Sequence, residues 1–293
     1  MKKRKTFQLY GIFGYPLSHT LSPAMHEAAF GKLGIDADYI VVELEPSAFR
    51  KTMRQASQLL LAGFNVTVPY KETVMKYLDH ISAEAKAIGA VNTVYRQGKR
   101  WVGTNTDMPG FLMTLKRDGA FRPSRKKAVV LGAGGAARAL VYGLSLEGIR
   151  EVLLTDCFPE KAEKIVREMR KIFPKIHYQA VKADIPEVKG AIQKADVIIN
   201  ATPLGLKAKD PLVIPKDWIP QAGSRKKLLM DLIYNPAVTP FLKAAKEKGH
   251  RTLNGLGMLL YQGVLAFEQW TKQKAPVAVM RQALLTALKG TGK

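Results

Sequence analysis

An apolar run, Val129-Val130-Leu131, leads without a break into Gly132-Ala133-Gly134-Gly135-Ala136-Ala137. The pattern fits G-x-G-x-x-A between a strand and a helix, and no other segment constrains the fold as strongly. Glycines permit a tight turn and let the backbone approach a pyrophosphate. The following helix N-terminus offers free amides and the positive end of its dipole to the phosphates. Gly132, Ala133, Gly134, Gly135 and Ala136 are therefore the expected cofactor contacts of the turn. Alone, the motif also fits an ordinary glycine-rich turn; the strand–turn–helix setting favours nucleotide binding.

The surrounding pattern predicts an α/β unit. Lys127 to Leu131, Glu151 to Thr155, Ile176 to Val181, Val197 to Asn200 and Leu228 to Leu232 read as strands. Helices are predicted from the glycine turn to about Leu146 and from Glu160 to Ile172, the latter closed off by Pro174. Such alternation predicts a parallel sheet covered by helices on both faces. The first third alternates too. Strands are predicted at Phe7 to Gly14, Tyr39 to Leu44, Gly63 to Val68, Val91 to Arg96 and Trp101 to Gly103, the last two joined by Gln97-Gly98-Lys99. Helices are predicted at Ser22 to Leu33, with Ser22 as N-cap and Pro23 in the first turn, and at Pro46 to Leu61, with Phe49, Met53 and Leu60 on one side. Lys207 to Arg225 reads as loop, and Gly255 to Lys272 and Val277 to Leu288 as amphipathic helices.

A length of 293 residues fits one large or two medium domains, and 47% hydrophobic content suffices for real cores. No run of about 18 apolar residues appears, so no membrane span is expected. Met1-Lys2-Lys3-Arg4-Lys5 reads as a basic tail leading into the first strand, because no cleavage pattern follows it. A single cysteine, Cys157, excludes an internal disulfide and fits a reducing, cytoplasmic setting. It reads as a packing residue rather than a nucleophile. No Cys/His cluster has metal-ligand spacing. The net charge of +22 allows nucleic-acid binding, but the basic residues are scattered along helices without interleaved aromatics. A solvated surface that attracts anionic small molecules is the simpler reading, so no nucleic-acid partner is expected.

The chemistry centres on Asn65-Val66-Thr67-Val68-Pro69-Tyr70-Lys71 and on Asn105-Thr106-Asp107. An ammonium beside a carboxylate is held in place and can exchange a proton with a substrate oxygen. Near a dinucleotide turn, this suggests a small-molecule oxidoreductase, with the cofactor carrying hydride. A lone lysine here would more often be a solvated one. Asp156, at the end of the next strand, has the spacing expected for an acid on the ribose hydroxyls, or it caps the following helix. Arg138 and Lys161 could offer phosphate contacts instead. His19, His26, His80, His177 and His250 do not cluster; His19 sits in the N-terminal motif below, and the others read as surface or helix-face residues.

Eight segments in one order carry a resemblance. They are Pro16-Leu17-Ser18-His19-Thr20-Leu21-Ser22-Pro23, the segment ending at Lys71, Gly89-Ala90-Val91-Asn92-Thr93, Asn105-Thr106-Asp107, the glycine turn, Asn200-Ala201-Thr202-Pro203-Leu204-Gly205, Asp231-Leu232-Ile233-Tyr234-Asn235-Pro236, and Asn254-Gly255-Leu256-Gly257-Met258-Leu259-Leu260-Tyr261-Gln262. Together they resemble the shikimate dehydrogenases, including their quinate/shikimate relatives, nearly end to end.

The resemblance implies a two-domain α/β enzyme: a substrate domain over 1–106, a Rossmann-type domain over 107–255, and C-terminal helices over 256–293 returning to the first domain, with the active site in the cleft. It implies Lys71 and Asp107 as the catalytic pair. It places Thr20 and Ser22 on the substrate carboxylate, and Thr67, Asn92 and Gln262 on ring hydroxyls or carboxylate, with Tyr234 near the carboxylate. Thr202, Leu232, Gly255 and Met258 belong to segments expected to line the nicotinamide side. Three departures matter. Thr20 replaces a usual serine. Met108-Pro109-Gly110 follows Asp107 where many members have glycine first, so Asp107 is expected as the helix N-cap or just before it. Thr155-Asp156-Cys157 stands where NADP-dependent members carry Asn-Arg-Thr, which favours NAD over NADP. The implied reaction is reversible NAD(P)-dependent oxidation of shikimate to 3-dehydroshikimate by a monomer or homodimer. The near alternative is an NAD-dependent quinate/shikimate dehydrogenase. More distant alternatives are a methylenetetrahydrofolate dehydrogenase-like enzyme and a basic nucleic-acid-binding protein.

Overall fold

The computed structural model describes residues 7–17, 20–183, 186–207 and 209–290, without the side chain of residue 57. The basic tail, Ser18 and His19 lie outside the described residues. The chain forms two compact units, Met1–Gly110 with Leu259–Lys293, and Phe111–Met258.

The first unit opens with β1 (Gln8–Gly14), α1 (Ser22–Leu33), β2 (Ala37–Glu43), α2 (Pro46–Arg54) and β3 (Gly63–Val66). It continues with β4 (His80–Ile81), α3 (Ala83–Ile88), β5 (Thr93–Gln97), β6 (Arg100–Thr104) and α4 (Asp107–Met113). The sheet order is β2-β1-β3-β5-β6-β4. β1 runs parallel to β2 and β3, while β3–β5 and β5–β6 are antiparallel. The β5–β6 hairpin closes at Gly98, whose φ of 64° suits glycine in a tight hairpin turn. Phe13, Phe49, Phe64, Tyr70 and Trp101 fill one face of this sheet.

One expectation fails in this unit. The predicted helix to Leu61 ends at Arg54, a short 3-10 turn spans Ala56–Gln58, and Leu60 is 93% exposed. The cause is Arg96 on β5. Its guanidinium donates to the carbonyls of Leu59 at 2.6 Å and Leu61 at 3.0 Å, which ties the segment to the strand. Leu61 then turns inward in place of Leu60.

The second unit is built from β7 (Lys127–Leu131), α5 (Gly135–Leu146), β8 (Glu151–Asp156), α6 (Pro159–Ile172) and β9 (His177–Lys182). It is completed by α7 (Pro186–Lys194), β10 (Val197–Asn200), β11 (Leu228–Asp231), α8 (Pro240–Glu247) and β12 (Arg251–Leu253). Its sheet, β12-β11-β10-β7-β8-β9, is parallel throughout. Renumbered from its own first strand, this is the doubly wound Rossmann order with the switch between β7 and β10. The apolar runs of β7, β10 and β11 are buried, as a sheet covered on both faces requires.

The chain then returns to the first unit through α9 (Leu256–Thr271) and α10 (Val277–Gly290). On α9, Trp270 stacks on Tyr10 at 5.0 Å and donates its indole N–H to the Val94 carbonyl at 3.0 Å. α10 packs along α1. Among the described residues, no helix is long and apolar enough to cross a membrane, and no group of three or more His, Cys, Asp or Glu could hold a metal.

His250 corrects the reading of the histidines, and His26 lies on a face of α1 that is turned inward. His250 is buried and its ring bonds the Pro220 carbonyl. His26 is fully buried, flat against Tyr39 at 4.6 Å, and neither ring nitrogen has a partner among the described residues. Burial lowers its pKa to about 3. The unfolded chain, with an ordinary value of about 6.5, therefore binds a proton the native state refuses between pH 6.5 and 3. Stability from a neutral His26 is present above pH 6.5 and falls away below it, by up to about 1.4 kcal/mol per pH unit. His26→Phe removes two unsatisfied atoms from an aromatic cluster. It is expected to raise unfolding free energy by about 1–3 kcal/mol at neutral pH and to flatten the acid loss. Urea unfolding at pH 7 and pH 5 checks both; a destabilised variant with unchanged pH slope would contradict them.

Candidate active site

In the first unit, the backbone around Lys71 is pinned before its side chain is considered. β3 ends at Val66, and Thr67 continues the pairing by donating its amide to the Phe13 carbonyl at 2.9 Å. Tyr70 stacks on Phe49 at 3.9 Å, and its hydroxyl donates to the Leu44 carbonyl. The Lys71 carbonyl accepts from the Val91 amide at 2.8 Å. From this anchor the Lys71 ammonium reaches Asp107 Oδ2 at 2.6 Å, with side chains only 12% and 6% exposed.

Asp107 is neither the N-cap nor before it: it is the first residue of α4. Asn105 takes the capping work, accepting the Met108 amide at 3.0 Å and donating to the Ala90 carbonyl at 2.9 Å. That leaves both Asp107 oxygens for side chains, in a first turn where a carboxylate is favoured by the helix dipole. Asn92 Nδ2 donates to Asp107 Oδ1 at 2.9 Å and to Gln262 Oε1 at 3.4 Å. Gln262 is oriented by its own bond to the Leu259 carbonyl, at 2.8 Å. Lys71, Asp107, Asn92 and Gln262 thus form one connected group.

Thr20, Ser22 and Thr67 lie beside the end of β1. The Ser22 amide reaches Thr20 Oγ1 at 3.4 Å, and the Ser22 side chain bonds Tyr39. Ser22 is buried inside the first turn of α1 and makes no side-chain cap bond, so its expected capping role is not observed. Gly14 has no room for a side chain: a Cβ there would lie 2.4 Å from the Thr67 methyl.

In the second unit, Gly132 has a φ of 99°, and a Cβ on it would press 3.0 Å from the Ala201 backbone. Its amide donates to the Thr155 carbonyl at 2.7 Å, clamping the turn to β8. α5 starts without a side-chain cap, and a Cβ at Gly134 would meet nothing within 4 Å. An uncapped amide cluster with open space above it is the cradle a pyrophosphate needs, so these residues fit a dinucleotide.

Asp156 does more than the sequence indicates. Its Oδ2 accepts the Ala133 amide at 2.7 Å and its Oδ1 accepts the Phe158 amide at 2.9 Å. The carboxylate braces the glycine turn and the approach to α6. Arg138 cannot serve a phosphate from its position, because it is buried and paired with Glu168 on α6. Lys161 lies over the exposed Phe158 ring at 4.5 Å. Cys157 is exposed, which corrects its reading as a packing residue.

Asn200 accepts from the Thr202 amide at 3.0 Å and hydroxyl at 2.7 Å, and donates to Asp231 Oδ1 at 3.0 Å. Asp231 also accepts from the Ile233 amide and Thr239 hydroxyl, and burial pushes its carboxyl pKa up. Gly255 is obligatory, since a Cβ there would lie 1.9 Å from the Leu232 carbonyl oxygen. Met258 is buried, and Tyr234 is half-buried with its hydroxyl pKa raised by burial. Sequence reasoning missed Asn105, Asp231 and the buried Tyr39–Asn65–Thr93 group. Of these, Asn105, Asp231, Asn65 and Thr93 stand inside the sequence motifs, and Tyr39 stands outside all of them.

Family models match residues 12–94 as a shikimate dehydrogenase substrate binding domain, 116–254 as shikimate/quinate 5-dehydrogenase, and 255–285 as a shikimate 5'-dehydrogenase C-terminal domain. The shikimate dehydrogenase (NADP(+)) of Desulforamulus reducens is 41% identical over 285 residues, covering 94% of each chain. The chain belongs to the shikimate dehydrogenase family. Solved structures of this family extend the match. Listeria monocytogenes shikimate 5-dehydrogenase, in complex with shikimate and NAD, is 33% identical with a TM-score of 0.85, covering 97% of this chain and 99% of that one. Quinate dehydrogenase from Corynebacterium glutamicum, in complex with NAD, is 28% identical with a TM-score of 0.85, covering 96% and 100%. As a shikimate dehydrogenase family member the chain is an oxidoreductase.

Proposed function

We propose that this enzyme reversibly oxidises shikimate to 3-dehydroshikimate in aromatic amino acid biosynthesis, with NAD preferred over NADP. The observation that carries the reading is the Lys71–Asp107 pair at 2.6 Å, oriented by Asn92 in a nearly dry setting. Bound nicotinamide dinucleotide supplies or accepts the hydride. In the reductive direction Lys71 hydrogen-bonds the ring oxygen and delivers its proton to it. Asp107 holds Lys71 and accepts from a neighbouring ring hydroxyl. Thr20 and Ser22 take the carboxylate, while Thr67, Asn92 and Gln262 match ring hydroxyls with donors and acceptors at fixed angles. Tyr234 is a further carboxylate contact. The enzyme acts in the cytoplasm as a monomer or homodimer. The test is the appearance of reduced cofactor when shikimate is mixed with NAD or NADP; no reduction with either would refute the reading.

Gly132 to Ala136 hold the pyrophosphate, and Thr202, Leu232, Gly255 and Met258 line the nicotinamide side. The preference for NAD rests on Asp156. Two oxygens of a carboxylate offer about four acceptor sites. Those left beside the Ala133 and Phe158 bonds suit ribose hydroxyls and repel a 2′-phosphate. Arg138, engaged with Glu168, does not offset that charge. Thr20 and Asp156 also support activity on quinate with NAD, as a second substrate of the same site.

Ser22→Ala is expected to raise KM for shikimate by roughly tenfold, the scale of a lost hydrogen bond to a charged group. Because Ser22 caps no helix, the melting temperature should change little on that account. An unchanged KM would remove Ser22 from the carboxylate site.

A further inference from the structure

Behind Asn92 runs a buried polar chain that no assigned role uses. Tyr39 on β2 donates its hydroxyl to Asn65 Oδ1 at 2.8 Å. Asn65 Nδ2 donates to the Asn92 carbonyl and to Thr93 Oγ1, both at 3.1 Å. A carbonyl can only accept, so the Asn65 nitrogen must face it and the Asn65 oxygen must face Tyr39. Thr93 Oγ1 lies 2.8 Å from Thr106 Oγ1 and 3.2 Å from Asn92 Oδ1. Asn92 Oδ1 accepts the Thr106 amide at 2.7 Å, which turns Asn92 Nδ2 toward Asp107. Each amide therefore has one allowed sense, and the series ends on the carboxylate that holds Lys71.

We propose that Tyr39 is a positioning residue for the reaction: through Asn65 it fixes Asn92, and through Asn92 the Asp107 carboxylate. The proposal rests on the Lys71–Asp107 reading of the function. Tyr39 is well placed for this. Its ring lies flat on His26, 8° from parallel, with Trp270 at 6.1 Å, so the hydroxyl has little freedom to swing away. Burial raises its pKa and keeps it a neutral donor. Inside a buried network, a fully satisfied donor rigidifies its partners, and removing it leaves Asn65 Oδ1 short of a proton.

Tyr39→Phe keeps the ring and its stacking and deletes the hydroxyl, which is both the donor to Asn65 and the partner of Ser22; the Ser22 side shows in the KM for shikimate, the Asn65 side in kcat. The expected result is about a tenfold lower kcat for shikimate with the KM for the dinucleotide unchanged, about 1.4 kcal/mol in the barrier. A purely structural Tyr39 would lower the melting temperature and leave kcat of the folded enzyme alone, which would overturn the proposal. A double-mutant cycle decides the route. In an Asn65→Ala background, Tyr39→Phe should lower kcat no further; a second full tenfold loss there would also overturn it. If Asn65→Ala does not fold, Asn65→Leu, which fills similar space while removing the bonds to both the Asn92 carbonyl and Thr93, gives the same cycle. Lys71→Ala measured alongside separates the two readings. If it loses kcat while Tyr39→Phe does not, the positioning role alone fails; if it keeps kcat, the catalytic reading fails and takes the proposal with it.

Discussion

Lys71→Ala is expected to lower kcat for shikimate oxidation by about a hundredfold or more, the usual scale for losing a general acid/base. The geometry makes this a sharp expectation. The ammonium is the donor to Asp107 Oδ2 at 2.6 Å, and Asp107 Oδ1 is already held by Asn92. Among the described residues, Lys71 is the cation of that connected group of four side chains. Truncation leaves Asp107 buried with one partner fewer, which also costs stability. The measurement therefore needs a folded variant, checked by circular dichroism, with kcat taken at saturating shikimate and cofactor. Near-normal kcat would remove Lys71 from the chemistry.

The second large effect concerns cofactor choice. kcat/KM with NAD is expected to exceed that with NADP by at least about tenfold, since like charges in contact cost several kcal/mol. The general basic surface is screened and should not override a charge in contact. Changing Thr155-Asp156 to Asn-Arg should move preference toward NADP, but the structure adds a consequence. The same carboxylate holds the Ala133 amide at 2.7 Å, so the exchange also loosens the glycine turn. Activity with NAD should fall further than activity with NADP rises. Asp156→Asn separates the two effects: its amide oxygen can still accept from Ala133 while the charge is gone, so NADP should be tolerated without loss of the turn. A wild-type preference for NADP would show that Lys161 or another cation receives the phosphate.

Much of the fold was legible because local and global signals agreed. The strands of the second unit read as apolar runs beside turn residues, and β10 was placed to the residue. α7 was missed because only Val188 and Ile192 mark its buried face, and β12, three residues long, carries no alternation to speak of. Leu60 was misplaced because the bonds from Arg96 that end the helix join residues far apart in sequence. The site divides in the same way. Lys71, Asn92, Asp107 and Gln262 stood in motifs and do meet in space. The dual attachments of Asp156, the capping by Asn105 and the Tyr39–Asn65 bond are tertiary contacts, and a sequence states none of them. His26 shows the limit most plainly. An imidazole without partners looks like any helix-face residue until the rings of Tyr39, Phe267 and Trp270 are seen around it.

The most direct measurement is steady-state kinetics of the purified enzyme with shikimate and with quinate, each against NAD and NADP. Dinucleotide reduction is followed by absorbance, with Lys71→Ala beside the wild type. The account predicts turnover of shikimate, the higher kcat/KM with NAD, and loss of that turnover in Lys71→Ala. Absence of shikimate turnover with both cofactors, or equal turnover by the Lys71→Ala enzyme, would contradict it.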